Sequence, residues 1–312
     1  MPPIVLLDDT DVPDDLLNLS QSRDGFTEEF PFTSRWIRIG ASIQHFVDEG
    51  SGPVLLMVHG NPTWSFAWRH LIRNLSVDYR VIAIDHLGCG FSEKPQTDVY
   101  TLEQHIKRLE QLILALDLRN VTLFAHDWGG AIGMGCAGRQ PDLFSRFVLL
   151  NTAAFRSRRI PLRISACRIP LLGPFGVQRM NLFSLAAVQM AVTRPLTSSA
   201  KAGLLAPYDS VENRIAVREF VLDIPMKPTH RSYQTLVRVE ESLSKLANRP
   251  MQLIWGMRDW CFTPEFLYEF ERRFPNAAVH RISSAGHYVF EDAADDVLET
   301  SQRFLKLTAD YS

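Results

Sequence analysis

Residues 122–133, TLFAHDWGGAIG, bring a run of apolar residues up to Asp127 and then continue in small residues. The apolar run predicts a strand that is buried on both faces of a sheet. The small residues that follow, beginning with Gly129 and Gly130, predict a helix that packs closely behind the strand. The segment therefore predicts a carboxylate at the tip of a sharp turn, where a buried strand ends.

Similar strands are predicted along the rest of the chain. Continuous apolar runs occur at 53–58 (PVLLMV), 80–84 (RVIAI), 121–125 (VTLFA), 146–150 (RFVLL), 251–255 (MQLIW) and 278–282 (AVHRI). Helical patterns lie between them, most clearly at 101–117, which opens with Thr101 and Gln104 in a capping-box arrangement. Residues 35–48 alternate apolar and polar side chains, which predicts a hairpin with its turn near Gly40. Strands that alternate with helices are typical of an α/β fold, a mostly parallel central sheet with helices on both faces.

One interval breaks this alternation, because residues 152–248 contain short helical patterns interrupted by prolines. We therefore predict an acidic N-terminal arm at 1–30, a core domain at 31–151 and 249–312, and an inserted helical cap at 152–248. Residues 143–208 contain nine Lys or Arg and no Asp or Glu, so the remainder of this −2 chain carries −11. This basic part of the cap is interpreted as a solvated face, a contact between subunits, or a site for an anionic lipid or an acidic partner.

Composition excludes several function classes. The net charge of −2 argues against a dedicated nucleic-acid binder. No apolar run approaches the ~20 residues that a membrane span needs, and the acidic N-terminus does not resemble a secretory signal. The four cysteines are scattered, which is typical of free thiols in a reducing compartment. We expect a cytoplasmic protein that acts on a small apolar substrate and water.

The candidate catalytic residues come directly after predicted strands. Asp127 follows 121–125, Asp259 follows 251–255, and His287 lies in the loop after 278–282. In open parallel sheets, working residues gather beyond the carboxyl ends of the strands. The turn at Asp127 resembles the nucleophile elbow G-x-S-x-G with an aspartate in place of the serine, and the chain order is nucleophile, acid, histidine.

The acid could also follow the strand at 146–150, but residues 143–208 contain no carboxylate. This absence selects Asp259 as the acid that orients His287. A carboxylate needs no base to activate it, and it can displace a leaving group from an sp³ carbon to form an ester. His287 would then take a proton from the water that cleaves this ester.

The developing oxyanion needs backbone N–H donors, and those of Trp128 and Asn61 are in place to supply them. The Asn61 amide and the Trp128 indole also offer side-chain N–H groups beside the nucleophile. Two neutral donors that converge there suit a halide ion as the leaving group.

Several motifs resemble those of the haloalkane dehalogenases, which have an α/β-hydrolase fold with a helical cap. They are HGNPTWSFAWR (59–69), DHLGCGFSEKP (85–95), HDWGG (126–130), WGMRDWCF (255–262) and AGHYVFED (285–292). The resemblance implies that Asp127 is the nucleophile and His287 the base, and that Asn61 and Trp128 hold the halide. An acid at Asp259 together with this pair looks like the third dehalogenase subfamily.

LNTAAF (150–155) and residues 204–225 also resemble a sister group, the β-lactone decarboxylases of olefin biosynthesis, which release long-chain alkene and CO₂. Our first prediction is hydrolytic dehalogenation of haloalkanes, and the second is β-lactone decarboxylation. An epoxide hydrolase is third and would need Tyr208 and Tyr233 as cap donors. A non-catalytic assembly module is the alternative from another class.

We predict no cofactor and no metal, with halide only as a product. Gly133–Gly138 matches G-x-G-x-x-G, but it falls inside the predicted helix after Asp127, and no acid follows ~20 residues on. The remaining partner predictions are a homo-oligomer or an anionic partner bound through the basic cap.

Overall fold

A nine-stranded sheet forms the centre of the computed structural model, which describes residues 4–311. The strands are β1 Ile4–Leu7, β2 Arg35–Ile39, β3 Ser42–Glu49, β4 Val54–Val58, β5 Arg80–Ile84, β6 Val121–Asp127, β7 Phe144–Thr152, β8 Met251–Gly256 and β9 Ala278–Ile282. Their order in the sheet is β1-β2-β3-β5-β4-β6-β7-β8-β9. The first three pairings are antiparallel and all later ones are parallel, which confirms the predicted mostly parallel sheet.

Helices follow most of the parallel strands. They are α1 Asp14–Gln21, α2 Arg69–Leu75, α3 Leu102–Ala115, α4 Trp128–Arg139, α5 Leu162–Ala166, α6 Leu172–Pro174, α7 Leu182–Met190, α8 Ser198–Leu205, α9 Ile215–Leu222, α10 Tyr233–Ser242, α11 Pro264–Arg273, α12 Val289–Asp292 and α13 Ala294–Leu307. A π-helical turn, Phe175–Arg179, follows α6 directly. Helix α3 begins as predicted, because the Thr101 side chain accepts a hydrogen bond from the Gln104 N–H. None of the helices within residues 4–311 has the length and apolar character to cross a membrane.

Two apolar clusters cover the two faces of the sheet. Every residue of β6 and β7 is buried, as expected of central parallel strands. Helix α4 lies against one face at very short range. A Cβ atom at Gly133 would lie 2.8 Å from the Leu123 side chain, and one at Gly135 would lie 2.6 Å from the Ile106 side chain. These glycines therefore serve helix packing.

The N-terminal segment is more structured than the predicted arm. Within 1–30, the described residues form β1, which pairs with β2, and the short helix α1. Val12, Leu16, Phe26 and Phe30 are buried among core residues. These apolar side chains are separated by acidic residues without a clear period, so the sequence gives no strong signal for their burial.

Helices α5–α10 occupy the interval between β7 and β8, where cap residues 152–248 are predicted. The division of the chain into core and cap at these residues remains a prediction. The parallel strands β4, β6, β8 and β9 end at the same edge of the sheet, below these helices. The loops that carry the predicted site residues leave the sheet at this edge.

Candidate active site

Asp127 lies at a strained turn between β6 and α4. Its backbone has φ 54° and ψ −126°, a region that costs a non-glycine residue of order 1–3 kcal/mol. The Thr152 hydroxyl donates a hydrogen bond to the Asp127 carbonyl oxygen and holds the turn from β7. Side chains at Gly129 and Gly130 would overlap the Val58 carbonyl oxygen and the Thr152 hydroxyl. The small residues after the aspartate therefore permit the sharp turn.

The two oxygens of the Asp127 carboxylate have different surroundings. Oδ1 accepts a hydrogen bond of 2.7 Å from the Asn61 backbone N–H, and the Trp128 backbone N–H acts in the same sense by lowering the pKa of the carboxyl group. Oδ2 lies 3.8 Å from His287 Nε2. In an ester formed through Oδ2, Oδ1 would be the carbonyl oxygen and would already accept the Asn61 N–H, one of the donors that stabilise an oxyanion.

Asp259 is bonded to the opposite side of the His287 ring. Its Oδ2 lies 2.8 Å from His287 Nδ1, while its Oδ1 accepts backbone N–H bonds from Cys261 at 2.6 Å and Phe262 at 3.1 Å. The carboxylate is buried and anchored to the backbone, so it fixes the orientation of the imidazole. Nδ1 then carries the proton, and Nε2 is left to act toward Asp127.

Burial and nearby charges shift the pKa values of His287 and Asp127 in opposite directions. Burial would lower the pKa of His287, but the nearby Asp259 and Asp127 carboxylates raise it above its usual value. Burial raises the pKa of Asp127, although His287 and the N–H groups of Asn61 and Trp128 oppose this shift. Perturbed titratable groups that face each other in a cleft are typical of reactive sites.

The two side chains predicted to hold a halide, Asn61 and Trp128, differ in how free their N–H groups are. Asn61 Nδ2 donates to the Val217 carbonyl oxygen of α9 at 3.2 Å, and its Oδ1 is buried with no hydrogen-bond partner within residues 4–311. The Trp128 indole lines the cavity and packs against Phe220 with ring centroids 5.3 Å apart. Both side chains therefore lie beside Asp127, but one amide N–H of Asn61 is already used by the cap.

Two further residues, Asn151 and His126, hold the site together and were not predicted from the sequence. Asn151, next to the last residue of β7, donates from Nδ2 to Asp259 Oδ2 at 2.9 Å, and its Oδ1 accepts the Gly256 N–H at 2.8 Å. His126 Nε2 lies 2.9 Å from the His287 carbonyl oxygen, with the two rings 4.5 Å apart. Their position at the carboxyl ends of β7 and β6 is the only sequence signal that could have indicated them.

A cavity of about 520 Å³ opens above Asp127, within the range of roughly 300–1,000 Å³ of small-molecule sites. Its walls are mostly apolar and come largely from the cap, including Ile164, Leu182, Phe183 and Met190. Neither Tyr208 nor Tyr233 is among the lining residues, so the pair of donors that an epoxide hydrolase needs is not in place. Within residues 4–311, no group of three or more His, Cys, Asp or Glu is arranged to hold a metal ion.

Comparison with known proteins identifies the family. A family model described as alpha/beta hydrolase fold matches residues 53–294. The chain belongs to the α/β-hydrolase fold family. This α/β hydrolase is 40% identical to the cis-3-alkyl-4-alkyloxetan-2-one decarboxylase of Shewanella oneidensis, over 89% of the chain and 90% of that relative. It is 36% identical to the protein of the same name from Xanthomonas campestris, over 89% and 97% of the two chains.

The same α/β hydrolase is 30% identical to haloalkane dehalogenase 2 of Mycobacterium tuberculosis, over 86% and 93% of the two chains. Among solved structures, the haloalkane dehalogenase DatA of Agrobacterium tumefaciens superposes with a TM-score of 0.77 and 26% identity, over 90% and 97% of the chains. Both resemblances inferred from the motifs, to haloalkane dehalogenases and to β-lactone decarboxylases, are confirmed.

Proposed function

We propose that this enzyme decarboxylates cis-3-alkyl-4-alkyloxetan-2-ones, which are β-lactones, to alkene and CO₂. The observation that carries the proposal is the similarity along nearly the whole chain to two proteins with this name, at 40% and 36% identity. The dehalogenase relative reaches 30%. The order of the two functions predicted from the motifs is therefore reversed.

The geometry of the site supports a reaction in two steps. Asp127 Oδ2 attacks the sp³ ring carbon that is bonded to the ring oxygen, and the bond between that carbon and the ring oxygen breaks. The former lactone carbonyl becomes a carboxylate on the neighbouring carbon of the alkyl ester. The bond to CO₂ then breaks, its electron pair forms the alkene, and the Asp127 carboxylate leaves. Atoms and charges balance without water or an external proton.

His287 has a different role in this reaction from the one in ester hydrolysis. Because its pKa is raised by two carboxylates, the ring carries positive charge over a wider pH range than a free histidine. An imidazolium 3.8 Å from Asp127 Oδ2 can stabilise the carboxylates that form in both steps. The apolar cavity suits the two alkyl chains, and Asp259 keeps the ring in place.

Haloalkane dehalogenation is the second candidate, because Asn61 and Trp128 both lie beside the nucleophile. In that reaction the ester has no neighbouring carboxylate, so it cannot fragment and must be cleaved by water. His287 would then act as the base. An assembled Asp127–His287–Asp259 set argues against a purely non-catalytic module.

The test is to incubate the enzyme with a cis-3,4-dialkyl β-lactone and, separately, with 1,2-dibromoethane and 1-bromobutane. We expect alkene and CO₂ from the lactone, measured by gas chromatography with mass detection, and none from the Asp127→Asn variant. Release of bromide with no alkene from lactones of any chain length would refute the decarboxylase proposal in favour of the dehalogenase. Absence of both products would refute both.

His287→Asn separates the two fates of the ester. With 1-bromobutane, we expect the variant to gain the mass of one butyl group, because alkylation proceeds and hydrolysis does not. With the lactone, we expect no stable adduct, because fragmentation needs no water. An adduct of the intact lactone that persists would contradict the proposed second step.

A further inference from the structure

The outer surface of the cap exposes an unusual number of large apolar side chains. We call this the cap patch; it consists of Leu162, Ile169, Leu171, Leu172, Phe175, Met180, Leu182 and Leu185. Leu162 and Leu171 are 88% and 87% exposed, and Leu172 is 73% exposed. All eight lie within 24 consecutive positions, from 162 to 185. Such a concentration on a soluble domain marks a surface that contacts something apolar.

The stretch of chain that carries the cap patch has charged side chains of one sign only. No Asp or Glu occurs between residues 143 and 208. The exposed side chains of Arg158, Arg163 and Arg179 form no ion pair within residues 4–311, whereas Arg156 and Arg159 are paired with glutamates outside this interval. The patch therefore combines apolar side chains with unneutralised guanidinium groups, which suits an apolar layer covered by anions.

The cap patch is also continuous with the rim of the cavity. Leu182 is 51% exposed and at the same time lines the cavity. Arg163 is exposed and lines it as well, while Ile164 and Cys167, between patch residues in sequence, form part of the cavity wall. A surface that covered the cap patch would therefore contact exposed residues that also line the cavity.

We propose that the cap patch docks the enzyme on an anionic lipid bilayer. The leucines and Phe175 would enter the interfacial region, and the arginines would contact lipid phosphates. If the proposed function is correct, this position lets a dialkyl lactone move from the lipid phase into the cavity without crossing water.

A second copy of the chain fits this surface less well. In a symmetric dimer the same patch meets itself, so unpaired arginines would face arginines in an apolar contact. In a bilayer that contains phosphatidylglycerol, lipid phosphates can provide a negative charge for each unpaired arginine. The observations therefore favour lipid over self-association.

Flotation with vesicles tests the proposal. We expect the wild-type enzyme to float with vesicles of phosphatidylglycerol and phosphatidylcholine, and to float poorly with phosphatidylcholine alone or at high salt. Arg158→Gln with Arg179→Gln should lower the partition coefficient at least about twentyfold, since each basic residue contributes roughly fivefold. Leu171→Ser with Leu172→Ser should lower it at least tenfold.

Matched variants outside the cap provide the control. Leu114→Ser with Leu307→Ser removes exposed leucines, and Arg303→Gln with Lys306→Gln removes exposed cations from α13. We expect these variants to bind vesicles like wild type. Equal loss of binding in the control and cap variants would overturn the assignment to the cap patch.

Two further outcomes would overturn the proposal. One is no flotation of wild type at any content of phosphatidylglycerol. The other is a wild-type dimer that Leu171→Ser with Leu172→Ser converts to a monomer in light scattering, while vesicle binding is absent. Turnover of a short-chain, water-soluble β-lactone should be the same in wild type and all these variants. Failure of wild type on that substrate would count against the proposed function and leave the docking result intact.

Discussion

Replacement of Asp259 by asparagine should move the proton of the neutral His287 ring from Nδ1 to Nε2. In the native site, Asp259 Oδ1 accepts two backbone N–H bonds, so the amide oxygen of the variant is forced to take that place. The amide NH₂ then replaces Oδ2 and faces His287 Nδ1, which was 2.8 Å from the carboxylate. Nδ1 must become an acceptor, and the proton moves to Nε2, which can no longer accept a proton from water.

The size of the effect follows from the same distance. Two opposite charges 2.8 Å apart attract by ~6 kcal/mol at an effective dielectric constant of about 20. At ~1.4 kcal/mol for each factor of ten in rate, loss of this stabilisation slows the base-dependent step about ten-thousand-fold. The pKa of His287 should fall below that of the wild type, because burial then acts without Asp259 beside it.

Histidine labelled with nitrogen-15 reports the tautomer directly by long-range proton–nitrogen correlation, with His287→Asn as the variant that assigns the signals. At a pH above the raised pKa of His287, where the ring is neutral, we expect Nδ1–H in wild type and Nε2–H in Asp259→Asn. Hydrolysis of the butyl ester formed from 1-bromobutane, followed by protein mass after quenching, should show the rate loss. If the variant kept Nδ1–H, or if hydrolysis slowed less than tenfold, the triad assignment would be wrong.

Three other changes test separate parts of the site. As pH rises through the raised pKa of His287, the imidazole becomes neutral and can act as the base for ester hydrolysis. The ratio of hydroxy acid to alkene formed from a β-lactone should therefore increase with pH, as measured by mass spectrometry. Gly60→Ala should lower kcat at least about a hundredfold, because the new methyl group would overlap Asp127 Oδ1. Asn151→Ala should lower the free energy of unfolding by about 3 kcal/mol in urea titrations, because buried partners, Asp259 among them, lose their hydrogen bonds.

Controls keep these outcomes interpretable. Gly176 is a matched position for the glycine test, because a Cβ there would meet only the flexible Leu182 side chain at 3.2 Å. Gly176→Ala should therefore retain activity. A product ratio that is independent of pH, an active Gly60→Ala enzyme, or an unchanged unfolding midpoint for Asn151→Ala would each contradict the corresponding geometry.

Features that depend on local periodicity could be predicted from the sequence. Strands β5 and β9 have the predicted bounds, and β6 extends two residues further, to Asp127 itself. The hairpin near Gly40 is present, since β2 and β3 pair antiparallel around it. Strands that are buried on both faces have continuous apolar runs, and strands that are buried on one face alternate apolar and polar side chains. Both patterns can be seen in a short stretch of sequence.

Features that depend on contacts between distant segments could not be predicted. The Asn61 amide bonds a carbonyl of α9, 156 residues away, so its use by the cap has no local signature. Asn151 contacts Asp259 only because β7 and β8 are neighbours in the sheet. The placement of Val12 and Phe26 in the core likewise depends on surfaces that form only after the sheet has assembled.

The motifs around the nucleophile are unable to separate the two candidate reactions for a chemical reason. Both reactions begin with attack of Asp127 Oδ2 on an sp³ carbon and pass through an ester whose carbonyl oxygen faces the Asn61 N–H. The fate of that ester depends on the substrate, because only a lactone leaves a carboxylate on the adjacent carbon. Selection between them must therefore come from which molecules enter the cavity, and that choice is made by the cap residues that line it.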